Sequence, residues 1–237
     1  MPDPSDKRKK KVFRAVVREY VESAEPVGSS TIVVKYRLGV SPATIRNDLA
    51  ELEQEGLLEQ PHTSAGRVPT ERGYRYYVQE FVGRGGVPKN EQQLIVEAMR
   101  ELDQSFEQAI RKFTRTVSGF TDEAVLLSFG PDRTYFCGLG NLFQKPESRE
   151  SDLPAVVSRV VDDIDDVVAE AISRLSSDVS VFIGRENPFG DRLSSVLTKL
   201  ESSEAGEGLF GIVGTQRMDY DANFALASFI RDLLSKK

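Results

Sequence analysis

Residues 83–90 read Gly-Arg-Gly-Gly-Val-Pro-Lys-Asn, and no helix or strand continues through three glycines and a proline in six positions. This break constrains the fold more than any other feature, because it forces the chain into two separately cored parts. The sequence predicts a domain over residues 1–84, a linker over 85–90 and a second domain over 91–237. A length of 237 residues suits one domain of ordinary size and a smaller one.

Charge divides along the same line. Residues 1–90 carry a net +3 and residues 91–237 a net −9, although the whole chain is at −6. A positive head on an acidic body is the asymmetry of a protein whose one end meets phosphates. No apolar run approaches the ~20 residues that span a bilayer. The N-terminus lacks the apolar stretch of a secretory signal, so a soluble, cytoplasmic protein is expected, with no membrane partner.

The head has the punctuation of a winged helix-turn-helix. A first helix is predicted over Lys7–Ser23, burying Val12, Phe13, Val16, Val17, Tyr20 and Val21. Its basic start, Lys7 to Lys11, suits either a phosphate or open solvent. Glu25-Pro26-Val27-Gly28 breaks the chain. Ser29 or Ser30 then caps a short helix that ends near Tyr36. After the turn Arg37-Leu38-Gly39-Val40, Ser41 is an N-cap and Pro42 takes the first helical position, where a missing N–H costs nothing.

On this third helix Ile45, Leu49 and Leu52 recur at intervals of four and three and face the core. Ala43 and Asn47 then point away, flanked by Thr44 and Arg46. Such side chains suit a recognition helix in a major groove: asparagine pairs with adenine, arginine with guanine, and threonine meets a thymine methyl. Beyond Gly56, residues 57–62 and 67–69 read as two short strands about the Thr63–Gly66 turn, a wing. Pro61 and Pro69 suit edge strands. His62, Thr63 and Arg67 are placed to reach phosphate or the minor groove, with a packing or capping role for His62 equally open. Thr70 caps a further helix whose Tyr74, Tyr76, Tyr77 and Phe81 close the core or form an interface.

The second domain mixes strand and helix signals. Ile95, Met99, Leu102, Phe106, Ala109 and Phe113 draw one seam along a long helix that either self-associates or packs on its own sheet. Residues 124–129 and 135–138 read as a hairpin around Gly130-Pro131-Asp132. Residues 153–175 read as one helix with Asp162, Asp163, Asp165 and Asp166 on its solvated side. Val179–Gly184 and Leu209–Gly214 read as buried strands, Arg192–Glu201 as a helix, and a last helix starts near Asp219. The pattern is a layer of helices on a sheet.

Chemistry-bearing residues are sparse. Cys137 is the single cysteine and His62 the single histidine, so internal disulfides, Cys/His metal sites and histidine triads have no partners to draw on. Cys137, beside Tyr135, Phe136 and Leu139, reads as an apolar filler. Glu186 and Asp219 read as turn and cap residues rather than a catalytic pair. No enzymatic activity, cofactor or metal is expected.

Several ordered motifs carry a family resemblance. Pro26-Val-Gly-Ser-Ser30, Ser41-Pro-Ala-Thr-Ile-Arg-Asn-Asp48, Leu52-Glu-Gln-Glu-Gly56, Pro61-His-Thr-Ser-Ala-Gly-Arg-Val-Pro-Thr70, Gly73-Tyr-Arg75 and Tyr77-Val78 closely resemble the heat-inducible transcription repressor HrcA family. Weaker matches follow at Gly140-Asn-Leu-Phe143, Ile183-Gly-Arg-Glu-Asn187, Ser194-Ser-Val196 and Gly214-Thr-Gln-Arg-Met-Asp-Tyr220. The resemblance implies an α+β chain, a winged helix-turn-helix followed by a GAF-like α/β domain. It also implies a homodimer on an inverted-repeat operator upstream of chaperone genes, release on heat stress, and folding assisted by the GroE chaperonin.

Two departures stand out. Between Phe120 and Gly140 the family has roughly a hundred residues more, the size of a small inserted dimerisation domain, where this chain has about twenty. Thr215 also stands where the family usually has proline. The competing function is a ligand-responsive regulator whose GAF-like domain senses a small molecule.

Overall fold

The computed structural model describes residues 4–100, 106–130, 133–148, 152–176, 178–202 and 206–234. The chain falls into two compact units, Met1–Val82 and Gly83–Lys237. No described helix is long and apolar enough to cross a membrane.

The first unit contains α1 (Pro4–Ser23), α2 (Ser29–Tyr36), α3 (Pro42–Gln54), the antiparallel pair β1 (Leu58–Glu59) and β2 (Val68–Pro69), and α4 (Glu71–Phe81). Apolar residues at helical spacing meet in one core: Val12, Phe13, Val16 and Val17 of α1, Ile32 of α2, Ile45, Leu49 and Leu52 of α3, and Tyr74 and Tyr77 of α4 are buried. Phe13 meets Tyr76 edge-on with centroids 5.3 Å apart, and Tyr77 lies 5.4 Å from Phe81, so the aromatics of α4 close this core. Burying Phe13 alone contributes about 2–3 kcal/mol.

Caps fix the element ends. Ser41 Oγ accepts the Thr44 N–H and Pro42 opens α3; Thr70 Oγ1 accepts the Gly73 N–H at the start of α4. At α2 the N-cap is Gly28, with no side-chain bond, so neither Ser29 nor Ser30 is the cap. Gly73 is fixed by close approach: a Cβ there would stand 2.1 Å from the Leu57 carbonyl oxygen.

The second unit opens with α5 (Lys89–Arg100) and α6 (Phe106–Thr121), which pack against each other. The expected single long helix is therefore two; Leu102 of the proposed seam lies outside the described residues. Ile95, Ile110 and Phe113 are buried, and Phe113 meets Phe210 of the sheet edge-on at 6.3 Å, so α6 packs on its own sheet.

That sheet has five antiparallel strands in the order β4 (Thr134–Cys137), β3 (Ala124–Ser128), β7 (Gly206–Thr215), β6 (Leu193–Ser202), β5 (Ser180–Ile183). β6 occupies the stretch expected to be a helix. Leu193, Val196, Leu197 and Leu200 suit a helix by spacing, but they are buried on both faces of a central strand, a case in which strict alternation disappears. Ser194, Ser195 and Thr198 are buried beside them.

α6 and α10 (Tyr220–Leu234) cover one face of the sheet. On the other lie α7 (Leu139–Gln144), α8 (Leu153–Asp162) and α9 (Ile164–Arg174), over a core that includes Ala124, Leu126, Leu197 and Val213. α8 and α9 replace the single helix expected over 153–175. The chain breaks at Asp163, within a run of carboxylates that combine poor helix propensity with mutual repulsion, and all four aspartates are exposed. β5 is a half-buried edge strand. Helices thus cover both faces of this sheet, the layering of helices on a sheet expected of the second domain. β3 and β4 pair as an antiparallel hairpin, and beyond their last paired residues the Phe129 N–H donates to the Arg133 carbonyl at 3.2 Å.

An ionic cluster that runs from a buried carboxylate to the surface joins three segments of this unit. Glu123, 2% exposed, pairs with Lys145, while Glu147 receives bonds from Thr215 Oγ1 at 2.6 Å and the Arg217 guanidinium at 3.2 Å. Thr215, the departure from the family's proline, thus supplies a hydroxyl to Glu147. Burial raises the Glu123 carboxyl from 4.5 to about 7, against the pull of Lys145, and its Oε2 has no hydrogen-bond partner. For Glu147 burial acts upward too, but the Thr215 hydroxyl, a backbone N–H and Arg217 outweigh it and hold the carboxyl below its ordinary value.

Two outcomes follow. Gly73→Ala, which in an open helix adds stability, is expected here to cost at least about 2 kcal/mol in denaturant unfolding of the first unit, because the new methyl meets backbone. For Glu123 the folded pKa is the raised one, so between about pH 4.5 and 7 the folded chain keeps a proton that the unfolded chain releases. Its contribution is complete below that window and gone above it. Unfolding of the second unit at pH 5 and pH 8 should show a loss on the order of 3 kcal/mol that Glu123→Gln abolishes.

Candidate nucleic-acid interface

α3 presents two faces of opposite character. Ile45, Leu49 and Leu52 are buried, whereas Ser41, Pro42, Ala43, Arg46 and Asn47 are exposed in its first turn and a half. Thr44 is half-buried, and its Oγ1 lies 3.0 Å from Ser41 Oγ, so these two side chains also serve the cap. Arg46 and Asn47 are exposed on adjacent positions at the open end. Five of the six residues predicted at the start of this helix are thus exposed, with Arg46 and Asn47 offering the longest hydrogen-bonding reach.

What holds α3 is less evident from sequence. Asp48, one residue after Asn47, is 2% exposed and receives a two-pronged bond from Arg8 of α1, Nε to Oδ2 at 2.8 Å and Nη2 to Oδ1 at 2.9 Å. Arg8 and Asp48 stand forty positions apart, and only the packing of α1 on α3 joins them. Lys9 reinforces the same contact by bonding Glu55 at 2.7 Å and Glu51 at 3.2 Å, and these bonds, Glu55 first, lift its ammonium well above the usual lysine range. Lys10 pairs with Glu80 of α4. Three members of the basic start of α1 are therefore engaged with carboxylates of the same unit, Arg8 with a buried one and Lys9 and Lys10 with exposed ones.

The wing is pinned at its root and open at its tip. Arg67 exchanges two backbone bonds of 2.9 Å with Val27, which ties the wing to the loop before α2. A Cβ on Gly66 would stand 2.4 Å from the Val27 carbonyl carbon, so only glycine allows that approach. The Arg67 guanidinium, 18% exposed, bonds Glu53 of α3 at 2.9 Å. It joins the wing to α3 rather than extending outward. Gln60 Nε2 donates to the carbonyls of Thr63 at 3.0 Å and Ala65 at 2.9 Å, shaping the turn on which His62 and Thr63 are exposed.

In the second unit the carboxylates considered as a catalytic pair are local caps. Glu186 Oε1 accepts the Ile183 N–H at 3.3 Å, and Asp219 Oδ1 accepts the Ala222 N–H at 3.0 Å at the start of α10. Asn187 and Ser195, from two of the resembling motifs, bond each other at 2.7 Å in the interior and join the β5–β6 connection to β6. Cys137 is half-buried rather than fully enclosed.

Comparison with known proteins places both units. A family model described as the HrcA protein C terminal domain matches residues 86–223, and one described as a DeoR-like helix-turn-helix domain matches residues 29–70. The heat-inducible transcription repressor HrcA of Pelotomaculum thermopropionicum is 51% identical over 124 residues, which is 52% of this chain and 36% of that protein. The corresponding repressors of Desulforudis audaxviator and Moorella thermoacetica are 49% and 46% identical over 124 and 128 residues. The matched stretch thus spans little more than a third of these relatives' own length. A crystal structure at 2.2 Å of a hypothetical protein shares the fold, with a TM-score of 0.75 at 19% identity over 97% of each chain. With more than half of its residues matched by the HrcA C-terminal model and a helix-turn-helix before them, the chain belongs to the HrcA family.

Proposed function

We propose that this protein is a sequence-specific transcriptional repressor of heat-shock chaperone genes, acting from the cytoplasm as a homodimer on an inverted-repeat operator. The observation that carries this reading is the exposed start of α3, where Ala43, Arg46 and Asn47 stand free of the core while Asp48 behind them is clamped by Arg8. The relatives' description as heat-inducible repressors supports the chaperone operon as the target. A dimer would present two copies of α3 one helical turn apart, or a multiple of it, to a two-fold symmetric site.

Arg46 and Asn47 read base edges in this account. Ser41, Pro42 and Thr44 set the helix start against the backbone, and His62 and Thr63 reach the duplex from the wing tip. Arg67, held on Glu53, meets phosphate only by exchanging that partner. A GroE-type chaperonin partner rests on the family resemblance alone. Release on heating is loss of dimer or fold stability, since the reading invokes no chemical modification.

Fluorescence anisotropy with an inverted-repeat duplex tests the proposal. Asn47→Ala and Arg46→Ala should each weaken binding by about tenfold to a hundredfold and relax preference at one base pair, consistent with about 1–3 kcal/mol per base contact. Unchanged affinity in both would remove the recognition role of α3. In the same titration read against temperature, DNA release and unfolding should share a midpoint; release far below the melting transition contradicts the heat mechanism.

A further inference from the structure

α6 lies across β3 and β4, and between α6 and β4 runs a cleft of about 270 Å³. Its lining is Arg111, Thr114 and Arg115 from α6 and Thr134, Tyr135, Phe136 and Cys137 from β4, with no carboxylate among them. Arg111 and Arg115 are one helical turn apart, where like charges repel. Among the described residues neither has an acidic partner, whereas Arg8, Arg67, Lys145, Arg174, Arg217 and Arg231 all do. Both cations sit in the part of the chain whose net charge is −9.

The cleft is also preorganised. The Arg111 guanidinium stands 5.5 Å from the centre of the Tyr135 ring, a cation–π contact that limits its freedom. β4 is an edge strand, so among the described residues its outer main-chain groups have no strand partner. The Phe129-to-Arg133 bond sets the alternation of the ladder and turns the main chain of Tyr135 toward β3, leaving that of Thr134 and Phe136 at the open edge. The side-chain hydroxyls are partly committed, Thr114 to the Ile110 carbonyl and Thr134 to Ser128. Two forked guanidinium donors therefore dominate the chemistry on offer, and they match a multiply charged oxyanion.

We infer that the α6–β4 cleft, where the paired guanidinium groups of Arg111 and Arg115 face the edge strand β4, binds a small dianion of the phosphate or dicarboxylate class. This goes beyond the repressor reading, and it names the ligand chemistry that a sensing role of the GAF-like domain requires. It stands or falls without DNA, so failure of one reading leaves the other intact.

The full chain, free of DNA, is titrated with inorganic phosphate and with succinate at ionic strength matched by sodium chloride. Heat of binding is followed by calorimetry, and protection of Cys137, the only cysteine, from iodoacetamide is followed in parallel. Saturable heat and matching protection are expected from at least one anion; phosphate alone points to a phosphate-bearing ligand and succinate alone to a dicarboxylate. R111Q/R115Q should raise the half-saturation concentration at least tenfold, about what loss of one charge-assisted bond costs, with the single R115Q intermediate. Both side chains are exposed, so the variants are expected to keep the circular dichroism and melting curve of the parent. No effect beyond that of chloride, or equal binding by R111Q/R115Q and the parent, overturns the inference.

Discussion

The head of this protein depends on one buried carboxylate. Asp48 is nearly inaccessible to water, and a charge in that position is tolerable only because the Arg8 guanidinium meets both of its oxygens. The fork is directional as well as attractive, since two parallel bonds fix the rotation of α3 about its own axis relative to α1. Rotation decides which residues of α3 face out. With Ile45, Leu49 and Leu52 inward and Asp48 clamped to α1, Arg46 and Asn47 have no alternative but solvent or a partner.

The remaining contacts extend the same constraint. Lys9 bridges to Glu51 of α3 and to Glu55 at its C-cap, and Arg67 carries the wing onto Glu53 of the same helix. Exposed pairs of this sort contribute little stability one by one. Their shared effect is geometric: α1 and the wing are tied to Asp48, Glu51, Glu53 and Glu55, all beyond Asn47, and the start of α3 is left for recognition. The second unit uses polar groups differently. Glu123, Lys145, Glu147, Thr215 and Arg217 form a cluster of cations and carboxylates with partners, while Arg111 and Arg115 line an open cleft beside the edge strand β4.

Local signals in the sequence carried far in the head. Ser41-Pro42 and Thr70 announce helix starts through backbone chemistry that acts within three residues, and both serve as caps. The Arg8–Asp48 fork was not legible, because it joins residues forty apart and depends on tertiary packing; for the same reason the basic run of α1 suited either a phosphate or open solvent. In the second unit the central strand β6 read as a helix, since burial on both faces removes the alternation that marks a strand. The cleft under Arg111 needed both α6 and the end of the sheet to be in place before its two cations could be seen to share a space.

The most direct test of the account is a double-mutant cycle on Arg8→Ala and Asp48→Ala, read both as stability of the head and as affinity for an inverted-repeat duplex across a salt series. The account predicts a coupling of at least about 1.5 kcal/mol in stability, a parallel loss of duplex affinity in both single variants, and a salt dependence that Arg8→Ala leaves unchanged, because neither residue touches DNA. Additive effects within about 0.3 kcal/mol, or a salt slope that falls by about one for Arg8→Ala alone, would instead make Arg8 a phosphate contact and contradict its role as the clamp of the recognition helix.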